Sequence, residues 1–142
     1  MIVLDANLLI YSYNSGSAYH KQARAWLESS LSNADVVGLP WQAVSAFLRV
    51  MTNPKLPGER FSLGQAAQIV DLWLAHPNVQ ILAPGDRYWT LFRTMVVEGR
   101  AAGPLVSDAE IAALAVEYGG VLHTADRDFA RFPGLRWVNP LS

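Results

Sequence analysis

The chain has 142 residues, of which 51% are hydrophobic and 16% are charged, and its formal net charge is −1. This length predicts a single domain, residues 1–142, with a core of its own. The composition excludes intrinsic disorder, and the near-neutral charge provides no overall field that would attract nucleic acid. The absence of cysteine excludes disulfides and thiolate metal sites.

The high apolar content also bears on partners and location. So many hydrophobic residues favour a surface that is covered by an oligomer or by a partner protein. A strand that starts at Ile2 leaves no room for a signal peptide, and no apolar run approaches about 18 residues. We therefore expect a cytoplasmic protein that does not enter a membrane.

The chain opens with a strand that runs directly into a helix. Ile2 to Leu4 is typical of a buried strand, and Ala6 to Tyr11 begins a helix. Asp5 therefore stands at the end of a strand, on the edge of an α/β sheet where ligands bind. Aspartate is also a preferred helix N-cap, so the same position has a purely structural interpretation.

The remaining elements alternate in the same way. Apolar spacing predicts helices over 20–31, 40–52 with Pro40 in the first turn, 62–76 and 87–98, and a last helix from 107 to a stop at Gly119. Strands are predicted over 35–39, 79–82, 121–124 and 135–138. Capping boxes are predicted at Ser62 and Ser107, and Asp86 is expected to cap the helix that follows it. This alternation indicates a parallel sheet with helices on both faces.

Four aspartates stand at comparable places in this pattern. Asp5 follows the first strand, Asp108 lies in the first turn of the last helix, and Asp126 and Asp128 follow the fourth strand. If the first and fourth strands are neighbours, these side chains can line one cleft. Each also has a structural interpretation, Asp108 as a complement to the helix dipole and the other two as turn residues.

A carboxylate cluster of this kind needs a cation or a shared proton, because like charges disfavour joint ionisation. Oxygen ligands without cysteine suit Mg²⁺, with Mn²⁺ as the other candidate. Such an ion can activate water for attack on a phosphodiester and supply the positive charge that the sequence lacks. Nucleic acid therefore remains a candidate substrate.

Other side chains are secondary candidates for the site. Asn7 can orient Asp5, and Thr124 can contact the site or only end a strand. Six arginines are candidates for phosphate contact, although solvation is the simpler interpretation: Arg49, Arg60, Arg93, Arg100, Arg127 and Arg131. Four aromatic residues are candidates for stacking on bases, with core packing as the expected role: Trp41, Trp73, Tyr88 and Trp89.

Three segments of the chain resemble the PIN-domain family, and within it the VapC-type ribonuclease toxins of type II toxin–antitoxin systems. They are residues 2–11 (IVLDANLLIY), 108–115 (DAEIAALA) and 124–129 (TADRDF). The resemblance implies a three-layer PIN-like fold whose five-stranded parallel sheet has the order 3-2-1-4-5. It also implies a Mg²⁺-dependent endoribonuclease that uses metal-activated water, with Asp5, Asp108 and Asp126 as metal ligands and Asp128 as a fourth ligand or a support. Inhibition by a cognate antitoxin, and a toxin homodimer within a toxin–antitoxin hetero-oligomer, are the implied assembly.

One position departs from the family pattern. The family usually has a glutamate on the helix after the second strand, where this chain has Ala46. Glu59 and Glu110 are conceivable substitutes, but neither matches the family position. The number of metal ions bound therefore stays open.

Three other interpretations compete with a metal-dependent nuclease. His20 and His123 would serve as acid and base in a metal-independent ribonuclease. A degenerate PIN module would bind RNA or a partner without cleavage, which the missing glutamate favours. A signalling domain phosphorylated on aspartate is disfavoured, because no aspartate follows the third strand directly after Leu82.

Overall fold

The computed structural model describes residues 1–58 and 60–142. In this part of the chain, five strands form one sheet and alternate with six helices. The strands are β1 (Ile2–Leu4), β2 (Val37–Pro40), β3 (Val79–Leu82), β4 (Val121–His123) and β5 (Trp137–Val138). The helices are α1 (Ala6–Tyr13), α2 (His20–Ser32), α3 (Trp41–Met51), α4 (Leu63–Ala75), α5 (Tyr88–Glu98) and α6 (Leu105–Glu117), and a 3-10 turn spans Arg127–Arg131. None of these helices is long and apolar enough to cross a membrane.

The sheet has the order 3-2-1-4-5, and all neighbouring strands are parallel, as the resemblance implied. β1 is central and pairs with β2 on one side and β4 on the other. The register places Leu4 opposite His123, so β1 and β4 end at the same level. Asp5 and Thr124, the next residue of each strand, therefore leave the sheet side by side.

A hydrophobic core covers each face of the sheet. Successive strand residues point to opposite faces, so Val3 packs with residues of α5 and α6 whereas Leu4 packs with residues of α1 to α4. On the second face, the Phe47 and Trp73 rings meet edge to face with centroids 4.7 Å apart. Helices thus lie on both sides of the sheet, which confirms the three-layer arrangement.

The short turn between α6 and β4 places the first turn of α6 at the carboxyl edge of the sheet. α6 ends at Glu117, and the predicted stop residue Gly119 follows its C-cap with a φ of 67°, in the left-handed region. The Gly120 N–H donates to the Ala115 carbonyl at 2.9 Å and the Gly119 N–H to the Val116 carbonyl at 3.1 Å, the two bonds of a Schellman cap. Because β4 begins at the next residue and α6 is about 20 Å long, the first turn of α6, with Asp108, lies near the end of β1.

Two predicted helix starts and two predicted caps, at Ser107 and Asp86, are wrong, for local reasons. Pro40 is the last residue of β2 and the N-cap of α3, since its ψ of 141° is extended. The last helix begins at Leu105, before Ser107, because the turn ahead of it already provides an acceptor for the Leu105 N–H at the Ala102 carbonyl. Asp86 does not cap α5, because Arg87 holds the N-cap position and makes no side-chain capping bond.

Other boundaries agree more closely. The capping box at Ser62 is confirmed, with both reciprocal bonds to Gln65 present. β3 has the predicted bounds. β2 starts at Val37 and β5 at Trp137, each two residues later than predicted.

Candidate active site

Asp5 joins β1 to α1 with no loop between them. Its N–H donates to the His123 carbonyl at 3.2 Å, which continues the pairing of β1 with β4 by one residue. Its Oδ1 accepts from the Ala6 N–H at 2.8 Å, so Asp5 caps α1. Its Oδ2 accepts from the Thr124 hydroxyl at 2.7 Å. Asp5 is only 5% exposed, and both of its carboxylate oxygens accept hydrogen bonds.

Thr124 is the centre of the hydrogen-bond network around Asp5. Its hydroxyl donates to Asp5 and accepts from the Asn7 amide at 3.3 Å and from the Asp126 N–H at 3.0 Å. One donor and two acceptor sites are all that a hydroxyl has. The Asn7 Oδ1 accepts in turn from the Ala125 N–H at 3.5 Å. The two supporting candidates therefore fasten α1 to the end of β4.

Asp126 and Asp128 lie in the turn that follows β4. The Asp126 Oδ1 accepts from the Asp128 N–H at 2.9 Å and so caps the 3-10 turn. Asp126 is half-buried and Asp128 is exposed. Both residues thus belong to a turn, as their structural interpretation predicted. Their negative charges also raise the pKa of Asp108.

Asp108 is half-buried in the first turn of α6, close enough to the other three aspartates for their charges to affect its pKa. Burial, together with the negative charges of Asp5, Asp126 and Asp128, raises its pKa to about 6, against a smaller opposing effect of Arg131. Burial likewise raises the pKa of Asp5 to about 6, with a contribution from the charge of Asp126, against the hydrogen bonds from Thr124 and Ala6. Such mutual repulsion favours the binding of a cation.

A cleft of about 710 Å³ opens between α3 and α6 beside these acids, and Asp5 and Asp108 lie in its wall. Ala46, which stands where the family has glutamate, lines the same cleft. Glu110 also lines it, but its charge is not among those that raise the pKa of Asp5 or Asp108. Glu59 lies outside the described residues. Within them, we find no acid that takes the place of the missing glutamate.

Comparison with known proteins decides the family. Residues 2–135 match the family described as PIN domain. The chain belongs to the PIN-domain family. Ribonuclease VapC43 of Mycobacterium tuberculosis is 38% identical over 99% of this chain and 96% of its own length, and ribonuclease VapC33 of the same species is 33% identical over 99% of both. Among solved structures, VapBC-1 from nontypeable Haemophilus influenzae has a chain with a TM-score of 0.71, 21% identity and full coverage of both chains.

The donor chemistry of this PIN domain fits Mg²⁺ bound openly rather than in a closed protein cage. In the described part of the chain, no three His, Asp or Glu side chains are grouped closely enough to enclose a metal ion. Mg²⁺ usually keeps several waters and takes only one or two protein carboxylates together with substrate phosphates. Carboxylate oxygens that repel one another beside an open cleft match that mode of binding.

The two histidines of the competing mechanism make contacts of another kind. The His20 Nδ1 lies 2.9 Å from the Tyr11 carbonyl. The His123 ring stacks on Trp26 at 5.7 Å, and burial lowers its pKa. Both rings are thus engaged by α1 or α2, and a neutral, stacked His123 is poorly suited to serve as a general acid.

The expectation of core packing holds for Trp73 but is wrong for Trp41 and Trp89. Trp73 is 3% exposed, whereas Trp41 is 49% and Trp89 65% exposed. Trp41 is the first residue of α3 and lines the cleft instead of packing in the core. Tyr88 is partly buried against the core of α5 and α6.

Of the candidate arginines, two bind backbone and one lies in the cleft. Arg131 donates to the Gly99 and Arg100 carbonyls, and Arg60 donates to the Pro54 carbonyl. Arg49 lines the cleft and is exposed, without an ion pair among the described residues. Its place in the cleft wall became apparent only from the fold.

Proposed function

We propose that this PIN domain is a Mg²⁺-dependent endoribonuclease and the toxin of a toxin–antitoxin pair, with Mn²⁺ as the alternative ion. The relatives named above carry the name ribonuclease and are matched over nearly their whole length. The observation that carries the proposal is the fixed Asp5 carboxylate beside Asp108, at one end of a cleft that is open to solvent.

Each residue of the site would have a distinct role. Asp5, Asp108 and Asp126 would hold the ion, with Asp128 as a further ligand or a support. Because no three of the described acids are grouped closely enough to enclose an ion, some of these contacts would run through water molecules that the ion keeps. Bound there, Mg²⁺ would lower the pKa of a water molecule and offset the charge on the scissile phosphate. Thr124 and Asn7 would keep Asp5 in one orientation, since their hydrogen bonds fix the carboxylate and the start of α1.

The partners follow from the same comparison and from the surface. VapBC structures resemble this fold over the full chain, which supports an antitoxin as partner. Large apolar side chains remain exposed on α4 and α5: Leu63, Leu72, Leu74, Trp89 and Val97. We propose that an antitoxin segment and a second toxin copy cover such surfaces, and that the complex is cytoplasmic.

The test is cleavage of transfer, ribosomal and messenger RNAs with Mg²⁺, with Mn²⁺ and with EDTA, comparing the wild type with Asp5→Asn. We expect metal-dependent cuts that leave 5′-phosphate and 3′-hydroxyl ends and that the variant does not make. Cleavage in EDTA with cyclic phosphate ends would instead support the histidine mechanism. RNA binding without cleavage under any metal would support the degenerate module. This module is the second candidate because the described residues form no closed metal cage and because Ala46 replaces the glutamate of the family.

A further inference from the structure

One face of α3 forms a wall of the cleft that extends away from Asp5 and Asp108. Trp41, Ser45 and Arg49 follow one another at intervals of four residues and are all exposed in the cleft wall. From the first to the last of them, α3 rises about 12 Å. That is room for about three stacked nucleotides at 3.4 Å each. The stripe starts at the carboxyl edge of the sheet, where Asp5 also lies.

Trp41 offers a free aromatic face on this stripe. Trp26, Trp73 and Trp89 each pack against another aromatic ring, whereas Trp41 has no ring partner in the described part of the chain. Its neighbour in the cleft, Gln42, has a buried Oε1 that accepts no hydrogen bond there. A buried acceptor without a donor is costly.

The cleft also contains a positive charge for a phosphate group. The end of the cleft at Asp5 and Asp108 is acidic, and the chain as a whole has a net charge of −1, so a bound phosphate backbone needs a cation elsewhere in the cleft. Arg49 provides a guanidinium at the other end of the stripe that makes no ion pair with another described residue. Sequence-reading proteins take unpaired RNA bases by stacking them on aromatic rings and by bonding their edges, which matches this combination of side chains.

We propose that Trp41 and Arg49 form a subsite for an unpaired RNA nucleotide next to the acidic cluster, with the base stacked on Trp41 and a phosphate on Arg49. This inference rests on the proposed function and adds to it the residues that contact the RNA beside the acidic cluster.

The test measures RNA binding without cleavage. Fluorescence anisotropy of a fluorescein-labelled single-stranded RNA octamer in EDTA is compared for wild type, Trp41→Ala, Trp41→Phe and Trp89→Ala. Loss of one stacking contact should weaken binding of Trp41→Ala about 5- to 150-fold. Trp41→Phe should retain most of the affinity because it keeps a ring, and Trp89→Ala, which removes an exposed tryptophan outside the cleft, should bind like wild type. Arg49→Gln should weaken binding and make it less dependent on salt.

The outcomes separate this inference from the function on which it rests. If the wild type binds and cleaves RNA but Trp41→Ala binds equally well, the subsite is refuted and the nuclease stands. If Trp41→Ala and Trp89→Ala lose affinity equally, the effect belongs to exposed tryptophan in general and the subsite is refuted too. A wild type that neither binds nor cleaves RNA with Mg²⁺ or Mn²⁺ overturns both proposals. Trp41 is half exposed, and circular dichroism of each variant verifies that its fold is intact.

Discussion

Asp5→Asn should change stability in a way that depends on pH. Burial raises the pKa of Asp5 from 3.8 to about 6, so between these values the folded protein keeps a proton that the unfolded chain loses. The stability of the metal-free wild type therefore falls as pH rises through this window and stays lower above it. At 1.36 kcal/mol per pKa unit, the penalty is about 3 kcal/mol at pH 7.5 and about 1 kcal/mol at pH 4.5. The uncharged asparagine does not incur this penalty.

The variant also loses an interaction, and the pH dependence separates the two effects. Asparagine keeps an acceptor for the Ala6 N–H, but its amide group cannot accept from the Thr124 hydroxyl, at a cost of about 1 kcal/mol. This cost is nearly constant with pH, whereas the charge effect changes by about 2 kcal/mol between pH 4.5 and 7.5.

The assay is thermal and urea unfolding in EDTA across this range, with Asp71→Asn, an exposed aspartate on α4, as the matched control. A net gain of about 2 kcal/mol at pH 7.5 would raise Tm by about 4–8 °C. An Asp5→Asn stability difference that is flat with pH would refute the reasoning, as would a pH-dependent difference of the same size in the control.

Three further substitutions probe the site and the core. Thr124→Val removes the hydroxyl that lowers the pKa of Asp5, so half-maximal Mg²⁺-dependent cleavage should move to higher pH; an unchanged pH–rate profile would contradict this. Ala46→Glu places a carboxylate in the cleft wall and should lower the Mg²⁺ concentration needed for cleavage, while Ala46→Gln, of the same size, should not. Phe47→Ala empties a fully buried ring position against Trp73 and should cost about 3–5 kcal/mol in urea unfolding, with Phe47→Leu costing less.

Elements that depend on neighbouring residues could be predicted from the sequence. The capping box at Ser62 needs only residues three positions apart, and the stop at Gly119 needs only a residue that tolerates positive φ. The same pattern at Ser107 fails because the turn before it starts the helix at Leu105. A local motif thus predicts a cap only where the preceding backbone leaves the first N–H groups of the helix without acceptors.

The contacts that build the site depend on the register of distant strands. Thr124 and Asp5 are 119 positions apart and meet because Leu4 pairs with His123. The sequence places both at strand ends, but it cannot show that one hydroxyl joins Asp5, Asn7 and the Asp126 backbone. Residue type alone also misleads at Trp41. A tryptophan is expected to be buried, but this one is half exposed because it begins α3 at the edge of the sheet.

The two interpretations of Asp5, a helix cap and a ligand, are compatible in one geometry. An ionised carboxylate has about four acceptor sites, and the Ala6 N–H and the Thr124 hydroxyl occupy two of them. The capping bond fixes one oxygen relative to α1, and the hydroxyl fixes the other relative to β4. About two acceptor sites remain for a cation, on a group that can no longer rotate. Because its orientation is set by folding, ion binding at Asp5 would not have to supply the entropy of ordering this side chain, and the structural role of Asp5 thereby supports the catalytic role that we propose for it.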